Sequence, residues 1–448
     1  MMLGRAMDYQ ELDDLFNELW PIPRSITGPG ITQSLKILQR HIPFEIKAVA
    51  SGTKVFDWVV PPEWQLNSAT LYTADGEKIL STEDSNIHIL NFSEPYSATI
   101  SYEELEPHLY TNKTFPETVP YVTSYYQRRW GFCLSEAQKA RLDKTKKYRV
   151  EIDTKIYPGN LRYGDLTLKG KSEKTVLLTS YLCHPSLANN ELSGPLALVA
   201  LYKELSKQKN RYYTYRFLVV PETIGSITFL ANTEKSELDK ICAGIVLTCL
   251  GGPAKKVTFK HSRRHWVGEP SEIDELVESL CMHDSECFEQ RPFEPTSGSD
   301  ERQFCSPTIN LPVIQAARTP YGQYDEYHSS LDNKSFMRIS AVLDSISKLC
   351  MFIRVFELNR ANLLPMLAGG EPMLGKRGLY PTINSAQTKR MSSDKIVDGR
   401  EQLNILLNVI SLIDGKRTVK EIVEFLEISY DDILSTLEPL LEQNLVRV

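Results

Sequence analysis

Three short stretches pair residue types that do chemistry with places where a chain can present them. Cys183-His184-Pro185-Ser186 follows the apolar run TVLLTSYL. A neutral imidazole is a good zinc ligand, and at a strand's carboxyl end it sits where a cleft opens; a structural histidine is the competing reading. Pro221-Glu222-Thr223-Ile224-Gly225-Ser226 follows the apolar run RFLVV. A carboxylate ending a buried strand has to be paired, hydrogen-bonded or metal-bound, because a lone buried charge is strongly unfavourable. The third stretch holds Gly298-Ser299-Asp300-Glu301-Arg302-Gln303 and then Asp325-Glu326-Tyr327-His328-Ser329-Ser330-Leu331-Asp332. Here a histidine lies among carboxylates and phenols, and an acidic neighbour can orient a metal-bound imidazole through its other ring nitrogen. A solvated loop would read the same way. Between the first two stretches lies Ala188-Asn189-Asn190-Glu191-Leu192-Ser193-Gly194. Its Ser-Gly lets a helix pack tightly on a sheet, which leaves the polar cluster before it unexplained. Cys183 next to His184 also raises a thiol hydrolase, but neighbours on an extended chain point to opposite faces and rarely form a nucleophile-base pair.

The elements that must hold these residues can be read from periodicity. A helix over Tyr9 to Leu19 and another in ITQSLKILQRHI flank PIPRSITGPG, which is read as a turn between helices rather than an anion cradle. From about Ala48 to Glu117, short alternating segments such as VFDWVV, ATLYTA and YSATISY predict an all-β insertion. From about Tyr148 strands alternate with amphipathic helices: YRVEIDTKI, TVLLTSYLC, LSGPLALVALYKELSKQ, YTYRFLVVP, ICAGIVLTCL and LPVIQAA. That alternation predicts an α/β domain with a mostly parallel sheet covered on both faces and ligands at the strands' carboxyl ends. The expected division is 1–47 N-terminal helices of the α/β domain, 48–117 β-rich insertion, 118–360 α/β domain, 361–394 linker and 395–448 a winged helix-like tail. In the tail three helices and a final strand are joined by Asp414-Gly415, with Ser429 as an N-cap.

Composition narrows the classes. The 448 residues, 42% hydrophobic and 24% charged, suit a globular protein of roughly two to four units. No apolar run approaches the ~20 residues of a membrane span. The acidic start MMLGRAMDYQELDDLFNELW is unlike a signal peptide, and eight scattered cysteines without CxxC pairing suit a reducing cytoplasm. A net charge of −6, with ten acidic against five basic residues from Val397 onward, argues against nucleic acid and for protein contact or domain packing by the tail. A transcription factor with a sensory domain rests on the tail alone.

Taken in order, the pieces resemble the zinc aminopeptidase fold of the bacterial leucyl aminopeptidase type: a histidine after a strand, an Asn-Asp cluster leading to Ser-Gly, a Glu-Glu-x-Gly turn, a Ser-Asp segment and a late Tyr-His. Over nearly the whole chain, PIPRSITG, DWVVPPEW, CHPSLANNELSGP, PETIGS, GSDERQ and YGQYDEYHSSLDN resemble aminopeptidase-like proteins with a β insertion and a C-terminal winged helix, some named as polysaccharide-biosynthesis proteins. The resemblance implies Glu222 as general base, His184 and His328 as metal ligands with Asn190 at the place of a bridging aspartate, and Asp300, Asp325 and Asp332 as substrate-side or supporting carboxylates. It also exposes departures. An amide is a poorer zinc ligand than a carboxylate, Thr223 stands where a second glutamate binds metal, and the usual His-x-Asp aligns with Tyr181-Leu182-Cys183 or with His184-Pro185-Ser186 without keeping both ligands.

The expectation is a hydrolase-like site with one divalent ion, zinc first among them, acting on an N-terminal peptide bond or a related amide, including one on an amino sugar. The rival is an aminopeptidase scaffold that binds a small ligand or a protein without turnover, favoured by Asn190 and Thr223. A protein partner for the tail, no membrane partner and room for a homo-oligomer complete it.

Overall fold

The computed structural model describes residues 7–366, 369–380 and 399–448. The chain forms two compact units, the larger built from Arg5–Ser271 and Arg291–Ile346, the smaller mainly from Glu272–Gln290 and Ser347–Val448. Among the described residues no helix is long and apolar enough to cross a membrane.

In the larger unit, seven strands of the central sheet are β1 (Glu45–Ala50), β2 (Asn160–Leu168), β3 (Thr175–Tyr181), β4 (Thr214–Val220), β5 (Ile241–Leu247), β6 (Val257–Lys260) and β7 (Val313–Ala317). They run in the order β1-β2-β4-β3-β5-β7-β6. The middle four are parallel, while β1, β2 and β6 add antiparallel flanks. β3 and β7 are buried along their whole length and β4 and β5 nearly so, as strands covered on both faces must be. The helix Ser193–Lys207 presses so closely on the sheet that a Cβ at Gly194 would collide with Ser180 and the Leu247 carbonyl. Gly28, with φ +102°, begins the helix Pro29–Gln39 where a Cβ would strike the Trp64 carbonyl; a left-handed, crowded position of this kind needs glycine.

A second, four-stranded antiparallel sheet is ordered Lys78–Ser81, Glu63–Thr73, Lys147–Tyr157, Tyr96–Ser101. Its third strand corrects the sequence reading, which opened the α/β run with YRVEIDTKI. Along it Tyr148, Val150, Ile152 and Thr154 are buried while Glu151, Asp153 and Lys155 are exposed. That two-residue alternation belongs to a sheet with one wet face, not to a doubly covered one.

In the smaller unit the helices Gly399–Leu412, Val419–Leu426 and Tyr430–Glu442 precede the strand Val446–Arg447, which pairs antiparallel with Leu364–Pro365. Thr418 caps the second helix in a reciprocal capping box and Ser429 caps the third. Of the expected linker, 367–368 and 381–394 lie outside the described residues, and its start supplies the Leu364–Pro365 strand.

Candidate active site

Tyr181 at the end of β3 lies opposite Val220 at the end of β4. The residues just beyond, His184 and Glu222, are therefore brought face to face at the carboxyl edge of the sheet, where open α/β sheets place ligands. His184 Nε2 is 3.6 Å from Glu222 Oε2. The other histidine nitrogen, Nδ1, is 2.8 Å from Glu191 Oε2. Glu191 Oε1 accepts the Cys183 N–H through a short bond and lies 3.8 Å from Arg24 Nε, with neither side chain of that pair exposed. Arg24 in turn donates to the His184 carbonyl at 3.1 Å and to the Leu19 carbonyl at 2.5 Å. Burial works against a proton on His184, but the negative charge of Cys183 and Glu191 prevails and raises its pKa well above the usual value. Burial pushes the Cys183 thiol up to about 11.

Glu222 is held by its other oxygen, Oε1, which accepts the Ser299 hydroxyl at 2.7 Å. Behind Ser299, Glu301 takes the Ser299 N–H at 3.1 Å and forms a fully buried ion pair with Lys260. Burial raises the Glu222 carboxyl, partly offset by His184. The backbone after it is strained: Thr223 has φ 63° and ψ −73°, and the Ile224 N–H donates to the Glu222 carbonyl at 2.7 Å. These are the marks of a γ-turn with positive φ, a rare conformation for a β-branched residue. Asp300 secures it, accepting the Thr223 N–H at 2.7 Å. The other Asp300 oxygen is buried, and burial together with the Glu222 charge raises this carboxyl well above its ordinary range, with Ser226 partly offsetting it.

His328 comes to the same place from the far side. Its ring centroid is 5.2 Å from that of His184 and 5.4 Å from that of Tyr121, and it stacks on Tyr327 at 3.9 Å. Its Nε2 is buried with no hydrogen-bond partner. Burial, then the charge of His184, drives its pKa well below the usual value. His328 also has a left-handed backbone, φ 52°, fixed by the Tyr121 N–H donating to its carbonyl at 2.7 Å.

The remaining expected residues divide. Asn190 is buried, but its Oδ1 already accepts the Tyr181 hydroxyl at 2.9 Å and faces the Cys249 thiol at 3.6 Å, so it offers no free oxygen to an ion. Asp332 accepts the N–H groups of Asn189 at 2.6 Å and Asn190 at 2.9 Å, anchoring the buried π-helical turn Ala188–Leu192. Burial pushes its pKa up to about 6. Asp325 is exposed and is bonded to none of His184, Glu222 or His328. The extended-chain expectation for Cys183 and His184 fails, because the chain has left the strand at Tyr181 and the thiol lies 3.4 Å from Nδ1. Arg24, Glu191, Tyr121 and Ser299 were not singled out from sequence. Glu191 carried a signal, being a charge placed immediately before an apolar helix with no face left for water; Arg24 and Tyr121 reach the site only through the tertiary fold.

Cys183, His184 and Glu191 set one donor atom each within 4.8 Å of one another. Those donors converge on Nδ1, where a 2.8 Å contact to a carboxylate is a hydrogen bond. Elsewhere in the site His184 Nε2 faces Glu222 Oε2 at 3.6 Å, and the buried His328 Nε2 has no hydrogen-bond partner. His184 Nε2 and His328 Nε2 are the nitrogens that would hold a single divalent ion. Asn190, whose oxygen is bonded to Tyr181, and Thr223 offer no carboxylate to a second.

Known proteins agree with this architecture. Residues 13–359 match a family model described as a domain of unknown function (DUF4910), and residues 363–448 match a winged helix-turn-helix model. A protein of Clostridium acetobutylicum provisionally named as a polysaccharide biosynthesis protein with an aminopeptidase-like domain is 40% identical over 427 residues, 94% of this chain and 93% of its own. A crystal structure from Clostridium acetobutylicum, provisionally described as a peptidase, is 35% identical with a TM-score of 0.84 and covers 100% of this chain and 98% of its own. A zinc aminopeptidase of Bacillus subtilis shares the fold at 12% identity and TM-score 0.54, covering 78% of this chain and 94% of its own. The chain thus belongs to the DUF4910 family, and its α/β domain has the aminopeptidase fold with a winged helix-turn-helix behind it.

Proposed function

We propose that this chain is a metal-dependent hydrolase of the aminopeptidase kind, acting on an N-terminal peptide bond or a related amide. The observation that carries the reading is that His184 Nε2 faces Glu222 Oε2 at 3.6 Å beyond the carboxyl ends of parallel strands, with the His328 ring beside them and its buried Nε2 without a hydrogen-bond partner. His184 and His328 would hold the ion, with Glu222 beside it. A bound divalent ion such as zinc supplies Lewis acidity toward a carbonyl and makes water a better nucleophile at neutral pH. Glu222 is the general base: Ser299 fixes one of its oxygens and leaves the other to take a proton from the attacking water and return it to the leaving amine. Burial makes that carboxylate more basic. The name of the Clostridium acetobutylicum relative brings amides on amino sugars into the same substrate class. None of the eight cysteines is in a disulfide, in keeping with a place in the cytoplasm.

Elemental analysis of tag-free protein tests the first half of this proposal. Wild type should carry about one ion per chain, and His184→Ala and His328→Ala should carry none. Screening aminoacyl substrates tests the second: Glu222→Gln should keep its metal and lose at least about 100-fold in rate, the scale of general-base catalysis. A second reading, a binding module without turnover, is favoured by the commitment of the Asn190 oxygen to Tyr181. Metal-free wild type after reconstitution would establish it.

A further inference from the structure

We infer that Arg24 and Glu191 are positioning residues that together dictate which nitrogen of His184 faces the ion, an inference that rests on the metal reading above. Glu191 Oε2 sits 2.8 Å from His184 Nδ1 and so claims the ring's Nδ1 proton, leaving Nε2 as the nitrogen directed at Glu222. Outer carboxylates of this kind fix both tautomer and ring orientation. Arg24 acts at both ends of the same residue, with its guanidinium 3.8 Å from Glu191 and its Nε donating to the His184 carbonyl at 3.1 Å. Ring and backbone of His184 are thereby held by one pair.

Stability alone does not account for the pair. Both side chains are completely buried, and buried ion pairs can often be replaced by apolar residues of similar size with no loss of stability. Their geometry is directed at His184. The N-terminal segment, which reads as a plain turn, is in consequence part of the site: its arginine reaches across 160 residues of sequence. The usual His-x-Asp pattern is absent after β3, and an acid from the following π-helical turn takes the orienting place.

The test replaces both members, Arg24→Met with Glu191→Leu, so that no lone charge is left buried, and uses Glu191→Gln as a second, near-isosteric variant. Two quantities are read. In metal-free protein, nitrogen-15 NMR of histidine should find the hydrogen-bonded Nδ1 proton of His184 in wild type and lose it in the double variant. With zinc alone, chelator competition should give an affinity about 10- to 100-fold weaker in the double variant, the usual effect of removing an orienting partner. A folded double variant with wild-type zinc affinity and an unchanged Nδ1 resonance overturns the inference. If the double variant does not fold, Glu191→Gln decides by the same two readouts. His184→Ala keeps the two proposals apart: equal zinc binding by wild type and His184→Ala removes the metal site, while the Nδ1 resonance still decides whether Glu191 holds the ring.

Discussion

Thr223, directly after Glu222, is made informative by its strained γ-turn. Strain of this type amounts to about 1–3 kcal/mol. Thr223→Gly should therefore leave the fold as stable or raise its melting temperature, even though glycine is flexible in the unfolded chain. A carboxylate introduced at one position alone should not create a second metal site, because an amide or a hydroxyl at the other is a poor ligand. Thr223→Glu and Asn190→Asp should each still bind one equivalent of zinc, and the double variant should bind two; elemental analysis distinguishes these. His184 and Glu222 were legible in sequence because strand ends can be read from apolar runs. Glu191 was not, since in the π-helical turn the positions facing inward do not follow ordinary helical spacing. Asp325, three residues before His328 in the same loop, shows the converse: chemical type and proximity in sequence did not bring it inward.

Among the elements, the third helix of the winged domain has an unexpected setting within the smaller unit. Winged and other helix-turn-helix proteins read base edges with the first residues of this helix. Here the Tyr430 side chain is buried with its hydroxyl 2.8 Å from Ser279, and its N–H donates to Asp284 Oδ2 at 2.8 Å. Arg354 grips Glu438 further along at 2.6 and 3.2 Å. The reading end is thus occupied, in line with the acidic balance seen in sequence, and no duplex binding is expected in fluorescence anisotropy at physiological salt. Burial pushes Asp284 up to about 6, above the ~3.9 of an unfolded aspartate. A carboxyl whose pKa is raised on folding favours the folded state most while protonated. Its contribution is complete below about 4 and is lost as pH rises through about 6. Asp284→Asn should flatten that part of the pH–stability profile, as followed by thermal melts between pH 4 and 7. The sequence placed the Ser429 cap correctly, because capping is local. It misassigned Lys147–Tyr157, because only the tertiary fold decides which sheet an alternating strand joins.

Across the whole molecule, strand-helix alternation sufficed to predict an α/β domain, and the known structures with this fold bear that out. What periodicity could not reveal was that the first thirty residues complete the site. A chain beginning at Pro29 would lack Arg24 and leave Glu191 buried without its partner. Breaking a buried pair from one side costs about 3–5 kcal/mol, so this truncation should melt at a markedly lower temperature than the full chain in calorimetry.

The reach of Arg24 to the carbonyl of His184 also bears on the order of events in time. The contact closes a loop of 160 residues, and His328 joins from beyond it. Contacts so distant form late, after the loop entropy has been overcome by nearer ones. A newly made chain would consequently possess its sheet before it possesses a competent ion site. In refolding from denaturant, zinc added at the start should leave the main folding phase unchanged, and its uptake, followed by a chromophoric chelator, should trail the recovery of secondary structure.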